Sequence, residues 1–225
     1  MRTLATLLTT AALALGTPAA AHAERWTSAD PAGDAFSWDL ASDEPCAPEA
    51  MTVTPDDHGS DLTRIRVAHS HGAVQLGATF GTAAGLTSRS VAFYVDTPGR
   101  AYVVEVSRYV EGGWPHQTTI AYAHPAPRWF ATASCEEVFG GSGGDAEARR
   151  RAGCEELSAH YSGASVTVRV PRECLDTPRW VRVGAYAVTS DDDGDTIGFD
   201  TWLPAGKQPS GFLVGAVGPR VRPGR

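Results

Sequence analysis

The sequence predicts an all-β protein that folds as an antiparallel β-sandwich. The clearest indication is the stretch Ser165–Val188, where Val166, Val168 and Val170 alternate with polar residues and a second alternating run begins at Val181. A period of two residues is that of a strand buried on one face. Runs of the same kind recur between turns rich in Gly, Pro, Asp and Ser. After residue 23 no helical pattern exceeds one turn, so two packed sheets are favoured over a helical or mixed fold.

The first 23 residues have the pattern of a secretory signal peptide. Arg2 precedes an apolar run, and small residues end at Ala23. A Gly-Thr-Pro break ends the apolar run short of the ~20 residues that a membrane-spanning helix needs. The pattern predicts cleavage after Ala23 and a secreted, extracellular product with no membrane span.

Cleavage would leave an acidic chain. It removes one of the 19 Lys and Arg residues and none of the 26 Asp and Glu residues, so the net charge of −7 becomes −8. This balance argues against a basic groove and hence against a nucleic-acid partner. The remaining length suits one domain with a substantial core. We place that domain at residues 24–206, followed by a closing strand and a polar tail at 207–225.

Strand patterns form three predicted hairpins in the middle of the chain. In the first, Ile65 and Val67 alternate with arginines, and a His-Ser-His-Gly turn leads into a run with Val74 and Leu76 on one face. The second turns at Thr-Pro-Gly and the third at His-Pro-Ala-Pro, where proline and glycine favour a change of direction. The hairpins pair Leu62–Ala68 with Val74–Phe80, Ser90–Asp96 with Ala101–Ser107, and Thr118–Ala123 with Arg128–Ala133.

Further runs bring the total to about ten strands, as expected for a jelly-roll or immunoglobulin-like sandwich. A Gly-Gly-Ser-Gly-Gly insertion at 140–144 separates the third hairpin from the last four runs. Because one sheet cannot bury so many inward apolar side chains, two sheets must pack face to face. These last four runs are Glu155–Tyr161, Val166–Val170, Val181–Val188 and Ile197–Leu203, and Ala35–Leu40 and Met51–Val53 are shorter additional candidates.

Four cysteines, Cys46, Cys135, Cys154 and Cys174, follow the signal peptide. An even number in an oxidising compartment predicts two disulfides, and three pairings are open. Counting outward from a turn at Gly163 brings Cys154 close to Cys174, which favours that bridge and leaves Cys46 with Cys135. The competing interpretation, a zinc site, lacks a Cys-x-x-Cys pair.

Acidic turns are the best candidates for a binding site. Asp30 and Asp34 bracket a Pro-Ala-Gly turn, and Asp191, Asp193 and Asp195 crowd the loop before the last strand. Carboxylates so close together repel one another, and a bound Ca²⁺ would relieve the repulsion because it prefers hard oxygen ligands. If the fold brings the two turns together, they would form one calcium site. The alternative is that both are ordinary solvated turns.

Aromatic side chains offer a second candidate site, because the face of an aromatic ring can stack on a sugar. Core packing accounts for most of the tryptophans and tyrosines. Trp114, on a Gly-Gly-Trp-Pro loop, and Trp129 are the candidates for an exposed platform.

The sequence predicts no catalytic residue. Ser142 lies in a Gly-x-Ser-x-Gly pattern, but a nucleophile elbow needs parallel strands with crossover helices, and the predicted strands form hairpins. His69 and His71 could hold a metal with a third ligand, yet they lie at a hairpin turn, where polar residues are ordinary. We therefore predict that the protein is not an enzyme.

The segments DPAGD, VDTPGR and VTVRVPRECLDTPRWVRV make the chain resemble a group of uncharacterised secreted bacterial β-sandwich proteins. More distantly it is similar to the family 9 carbohydrate-binding modules and DOMON-like domains. The resemblance covers most of residues 29–222. For the group it implies a sandwich, a disulfide ending at Cys174 and no established activity, and for the distant relatives it implies a structural Ca²⁺ and a sugar or haem ligand.

These patterns predict a secreted, non-catalytic β-sandwich protein that binds a polysaccharide or another cell-envelope component, with Ca²⁺ as its candidate cofactor. One alternative is a structural or interaction protein with no small ligand. A hydrolase that uses Ser142 or a histidine is the weakest alternative.

Overall fold

The structure, a computed structural model, describes residues 23–39, 46–47, 51–53, 59–82, 88–110, 117–135, 137, 154, 157–190, 196–207 and 213–224. Within these ranges, no helix is long and apolar enough to cross a membrane. The signal peptide prediction falls on residues 1–22, outside the described part, and on Ala23. The strands are β1 (Glu24–Ala29), β2 (Phe36–Asp39), β3 (Met51–Val53), β4 (Leu62–His69), β5 (Ala73–Phe80), β6 (Ser88–Asp96), β7 (Ala101–Val110), β8 (Gln117–Ala126), β9 (Ser158–Ser162), β10 (Ser165–Pro171), β11 (Arg182–Ser190) and β12 (Thr196–Thr201).

The strands form two antiparallel sheets, which confirms the predicted all-β sandwich. The five-stranded sheet has the order β1-β4-β5-β10-β9, and the seven-stranded sheet has the order β3-β2-β12-β11-β6-β7-β8. The stretch Ser165–Val188 contributes one strand to each sheet. Its two strands, β10 and β11, are joined through a 3-10 helix at Arg172–Leu175, so this segment carries the chain from one layer to the other.

Alternating side chains fill the space between the sheets. In β10 the side chains of Val166, Val168 and Val170 are at most 1% exposed, whereas Thr167 and Arg169 are exposed. The facing strands of the seven-stranded sheet contribute apolar side chains in the same alternation. Burying one such Val or Phe stabilises the fold by about 1.5–3 kcal/mol, so the alternation supplies most of the driving force for packing the layers together.

The third predicted hairpin is wrong. Arg128–Thr132 forms a 3-10 helix, and β8 continues to Ala126 and pairs with β7 instead. The strand can include Pro125 because β8 is an edge strand of its sheet. The backbone N–H of Phe130 donates to the Pro127 carbonyl at 3.2 Å, which begins the helix. Trp129 therefore lies on a short helix at the end of β8 and not on a strand.

The two ends of the domain also differ from the prediction. β1, which the sequence analysis does not predict, pairs with β4. Residues 213–224 contain no closing strand, only an isolated bridge between Val181 and Val221. Val214 is instead buried in a cluster on the outer face of the seven-stranded sheet. The segment can lie this close to the sheet because Gly184 has no side chain. A Cβ at that position would overlap the carbonyl oxygen of Ala216.

Both disulfides, Cys46–Cys135 and Cys154–Cys174, have the pairing that the sequence favours. The Cys154–Cys174 disulfide does not bridge the two strands of one hairpin, as the sequence analysis expected. The β9–β10 ladder ends at Ser158, and Cys154 forms an isolated bridge with Ala123 of β8. Since Cys174 lies in the 3-10 helix that follows β10, this disulfide ties the two sheets to each other.

Candidate functional site

Three aspartates from distant parts of the chain meet in space. Asp34 ends the turn after β1, Asp61 immediately precedes β4, and Asp200 lies in β12. One carboxylate oxygen from each lies within 4.8 Å of the other two. Two oxygens on opposite sides of one Ca²⁺ are separated by up to about 5 Å, because each Ca–O distance is about 2.3–2.6 Å. The three carboxylates are thus close enough to contact one cation.

Backbone N–H groups orient these carboxylates. The N–H of Gly33 donates to Asp61 Oδ1 at 3.0 Å, and the N–H groups of Leu62 and Thr201 donate to Asp200 Oδ2 and Oδ1 at 2.5 and 2.7 Å. Gly33 has φ of 81°, a left-handed conformation that glycine adopts without strain. These bonds restrict the orientation of the Asp61 and Asp200 carboxylates.

A fourth aspartate, Asp30, is buried beside the other three. Its Oδ1 accepts a hydrogen bond from the N–H of Leu203 at 2.9 Å. Its Oδ2 is buried and has no hydrogen-bond donor among the described residues. Leaving an ionised oxygen buried without a partner is costly, and a cation next to the cluster would supply the missing interaction. We refer to Asp30, Asp34, Asp61 and Asp200 as the aspartate cluster.

The aspartate cluster has raised carboxyl pKa values. Burial raises the pKa of Asp30 to about 8 and that of Asp200 to about 7, and the neighbouring carboxylates raise both further. Hydrogen bonds from backbone N–H groups act in the opposite direction. The pKa of Asp34 is also raised, first by partial burial and then by the charge of Asp61. Without a cation the cluster therefore retains protons near neutral pH, and a cation has to displace them.

The donor atoms of the cluster determine which cations it suits. All of them are carboxylate oxygens, and the described residues contribute no His or Cys to the group. Oxygen-only sites suit hard cations such as Ca²⁺ and Mg²⁺, whereas Zn²⁺ and Cu²⁺ sites typically include imidazole or thiolate ligands. Ca²⁺ tolerates irregular geometry and six to eight ligands, which fits carboxylates from three separate segments better than the strict octahedron of Mg²⁺.

The predicted turn of Asp30 and Asp34 does contribute to this cluster. Its expected partner, the loop with Asp191, Asp193 and Asp195, lies outside the described residues, so the contribution of that loop stays a prediction.

Asp61 and Asp200 were missed by the sequence analysis. Asp61 looks like an ordinary residue of a polar segment before a strand. Asp200 does carry a signal, since it is an isolated carboxylate within an apolar strand and is 2% exposed. Charged groups are rarely buried without a partner or a metal. An acidic residue inside a predicted strand could therefore have been included among the candidate cation ligands.

Trp129 lies on the surface, as a sugar platform requires. Its side chain is 54% exposed, and its ring centroid lies 6.4 Å from that of Phe130. The other predicted platform residue, Trp114, lies outside the described residues, as does Ser142. The two histidines do not form a pair, because His69 is buried with Nδ1 3.0 Å from the Val221 carbonyl while His71 is exposed.

A cleft of about 620 Å³ opens near the 3-10 helix that carries Trp129. Two residues of that helix, Ala131 and Thr132, form part of its wall, together with Trp26 of β1 and Trp202 after β12. The two indole rings meet edge to face with centroids 5.3 Å apart. The cleft therefore has the volume and the aromatic lining typical of small-molecule sites.

Comparisons with family models, curated proteins and solved structures give no match. The resemblance to carbohydrate-binding modules thus remains an expectation from the sequence. The aspartate cluster and the cleft are the features on which a functional proposal can be built.

Proposed function

We propose that this protein is a secreted, non-catalytic binding protein that holds Ca²⁺ in its aspartate cluster and binds a glycan, either a polysaccharide or another component of the cell envelope. The observation that carries the proposal is the meeting of Asp34, Asp61 and Asp200 within 4.8 Å next to the buried, unpaired Oδ2 of Asp30. Two disulfides support an oxidising, extracellular setting.

The position of the cluster suggests what Ca²⁺ would do. Asp34 lies in the connection from β1 of the five-stranded sheet to β2 of the seven-stranded sheet. Asp61 immediately precedes β4 of the five-stranded sheet, and Asp200 belongs to β12 of the seven-stranded sheet. A cation shared by these carboxylates would join the layers as a disulfide does. Extracellular modules bind Ca²⁺ with Kd of about 10⁻⁴–10⁻³ M, which matches a structural role outside the cell.

Calorimetric titration of the metal-free protein with CaCl₂ tests the cation site. We expect one equivalent of Ca²⁺ to bind with Kd of about 10⁻³ M or tighter. Asp61→Asn keeps the size of the side chain but removes a charged ligand, so it should weaken binding at least about tenfold, or roughly 1.4 kcal/mol. Glu173→Gln removes an exposed carboxylate elsewhere and should bind like the wild type. Unchanged affinity in Asp61→Asn would count against this site.

Glycan binding is supported by Trp129, whose ring is available to stack on a sugar. We expect the wild type to be retained on an insoluble polysaccharide and Trp129→Ala to be retained about fivefold more weakly, since one stacked ring contributes on the order of 1 kcal/mol. Ile120→Ala is the matched control, because Ile120 is 47% exposed on β8. Equal loss in both variants would indicate nonspecific hydrophobic adsorption, and no loss in Trp129→Ala would exclude the platform.

A further inference from the structure

We infer that the cleft lined by Trp26 and Trp202 binds an acidic saccharide, that is, a sugar bearing carboxylate or sulfate groups. This inference rests on the glycan binding proposed above and names the ligand class and its place. It is carried by the chemistry of the cleft wall.

The first feature is the positive charge of the wall. Arg182 and Lys207 both line the cleft, and none of the described residues lining it is acidic. The whole chain has a net charge of −7, so these two cations give the cleft a charge opposite in sign to that of the whole protein. An anionic ligand is repelled by the net charge of the chain and attracted by these two side chains.

The guanidinium of Arg182 is held in place by backbone carbonyls. Arg182 donates from Nε to the Gly218 carbonyl at 3.0 Å and from Nη2 toward the Val217 carbonyl at 3.5 Å. These bonds use two of the five N–H donors of the guanidinium, and the others can serve a carboxylate or sulfate. Lys207 ends a turn in which its N–H donates to the Pro204 carbonyl at 3.0 Å, and its exposed side chain reaches the cleft.

The second feature is the ring surface of the wall. Trp26 and the prolines at 204 and 219 line the cleft and are partly or fully exposed. The C–H faces of sugars pack on indole and proline rings. Trp202 supports the Trp26 ring edge to face, while being only 2% exposed itself.

The cleft also adjoins the aspartate cluster through the chain itself. Trp202 and Pro204 line the cleft, and Leu203 between them donates its N–H to Asp30. Asp200 is only two residues before Trp202. A Ca²⁺ ion bound in the aspartate cluster would offset part of the negative charge of these carboxylates, which weakens their repulsion of an acidic ligand.

A glycan array tests the inference when each acidic saccharide is printed beside its neutral form. The pairs are uronate oligosaccharides with their methyl esters, and sulfated oligosaccharides with their desulfated forms. Fluorescently labelled protein is applied in 1 mM Ca²⁺. We expect acidic members to be retained at least tenfold better than their neutral partners. Arg182→Gln and Lys207→Gln should each reduce that retention about tenfold, whereas Arg169→Gln, on the opposite sheet, should not.

Three results would overturn the inference, and they are distinguishable. Equal retention of neutral and acidic partners would show that the ligand is not selected by charge, and would leave glycan binding intact. Full retention of acidic glycans by Lys207→Gln, which loses no hydrogen bond or ion pair described in the fold, and by correctly folded Arg182→Gln would place the site elsewhere. Retention of no glycan at all would contradict glycan binding itself, while the calorimetric Ca²⁺ titration would still judge the cation site.

Discussion

Ca²⁺ is expected to raise the melting temperature of the metal-free protein, and to raise it more at pH 8 than at pH 5. A hundredfold excess of Ca²⁺ over its Kd stabilises the folded state by about 2.7 kcal/mol. For a domain of this size that corresponds to roughly 5–10 °C. The measurement is a thermal melt at both pH values, in metal-free buffer and in excess CaCl₂.

The pH dependence follows from the raised pKa values of the aspartate cluster. Unfolded aspartates ionise near pKa 3.9, whereas the folded pKa values of Asp200 and Asp30 are about 7 and about 8. Between these limits the folded state binds more protons than the unfolded state, so the free energy of unfolding decreases as pH rises. Metal-free protein should therefore melt lower at pH 8 than at pH 5. Ca²⁺ binds the ionised carboxylates. Its stabilising effect is therefore larger at pH 8, where fewer protons compete for them, than at pH 5.

Asp200→Asn separates this effect from general changes with pH. The amide does not ionise, so the variant should lose part of the decrease in melting temperature between pH 5 and pH 8. It should also lose most of the response to Ca²⁺. In the absolute melting temperature two effects oppose each other: the variant removes a carboxylate from a repulsive buried cluster, but its amide has a single acceptor oxygen and loses one of the two backbone hydrogen bonds to Leu62 and Thr201. A wild-type melting temperature that is independent of Ca²⁺ at pH 8 would contradict the cation site.

Removal of the Cys46–Cys135 disulfide is expected to cost more stability than removal of Cys154–Cys174. The first joins residues 89 positions apart and the second residues 20 apart. Each disulfide stabilises the folded state because it lowers the chain entropy of the unfolded state. This stabilisation is about 4.6 kcal/mol for the longer loop and about 3.3 kcal/mol for the shorter one. Double Cys→Ala variants measured by urea denaturation at constant Ca²⁺ give both values.

The comparison of the two double variants has its own internal control. Each loses two sulfurs from a covered position, so the difference between them reflects loop length more than side-chain burial. Reduction of the wild type should lower stability at least as much as the more destabilised variant. A larger cost for Cys154–Cys174 would show that fixing the two sheets in the native state outweighs the entropy of the unfolded chain.

Local patterns predict most of the strands because the alternation of apolar and polar residues within one strand indicates which of its side chains are buried. The alternation around Val166–Val170 and Val91–Val95 is set by which side chains face the core, and it survives in any arrangement of the sheets. The Arg128–Ala133 run failed because its sequence fits an extended strand or a tight helical turn equally well. What decided it was that β8 pairs with β7 along its whole length and that the chain then turns at Pro127.

The aspartate cluster could be predicted only in part. Asp30 and Asp34 share a turn, so five residues of sequence suffice to place them together. Asp61 and Asp200 are 139 positions apart in the chain, and no local pattern relates them. The cleft is harder still, since its wall combines β1, β11, the segment after β12 and a segment near the C terminus.

The sequence by itself determined the all-β class, most strand positions, the favoured cysteine pairing and one acidic turn, because all of these depend on local periodicity or short separations. The tertiary structure alone decided that β10 and β11 belong to different sheets, that Asp61 and Asp200 complete the cluster, and that two tryptophans and two cations line one cleft. These features depend on which strands become neighbours. That choice is made by the packing of two whole sheets and is not encoded in any single segment.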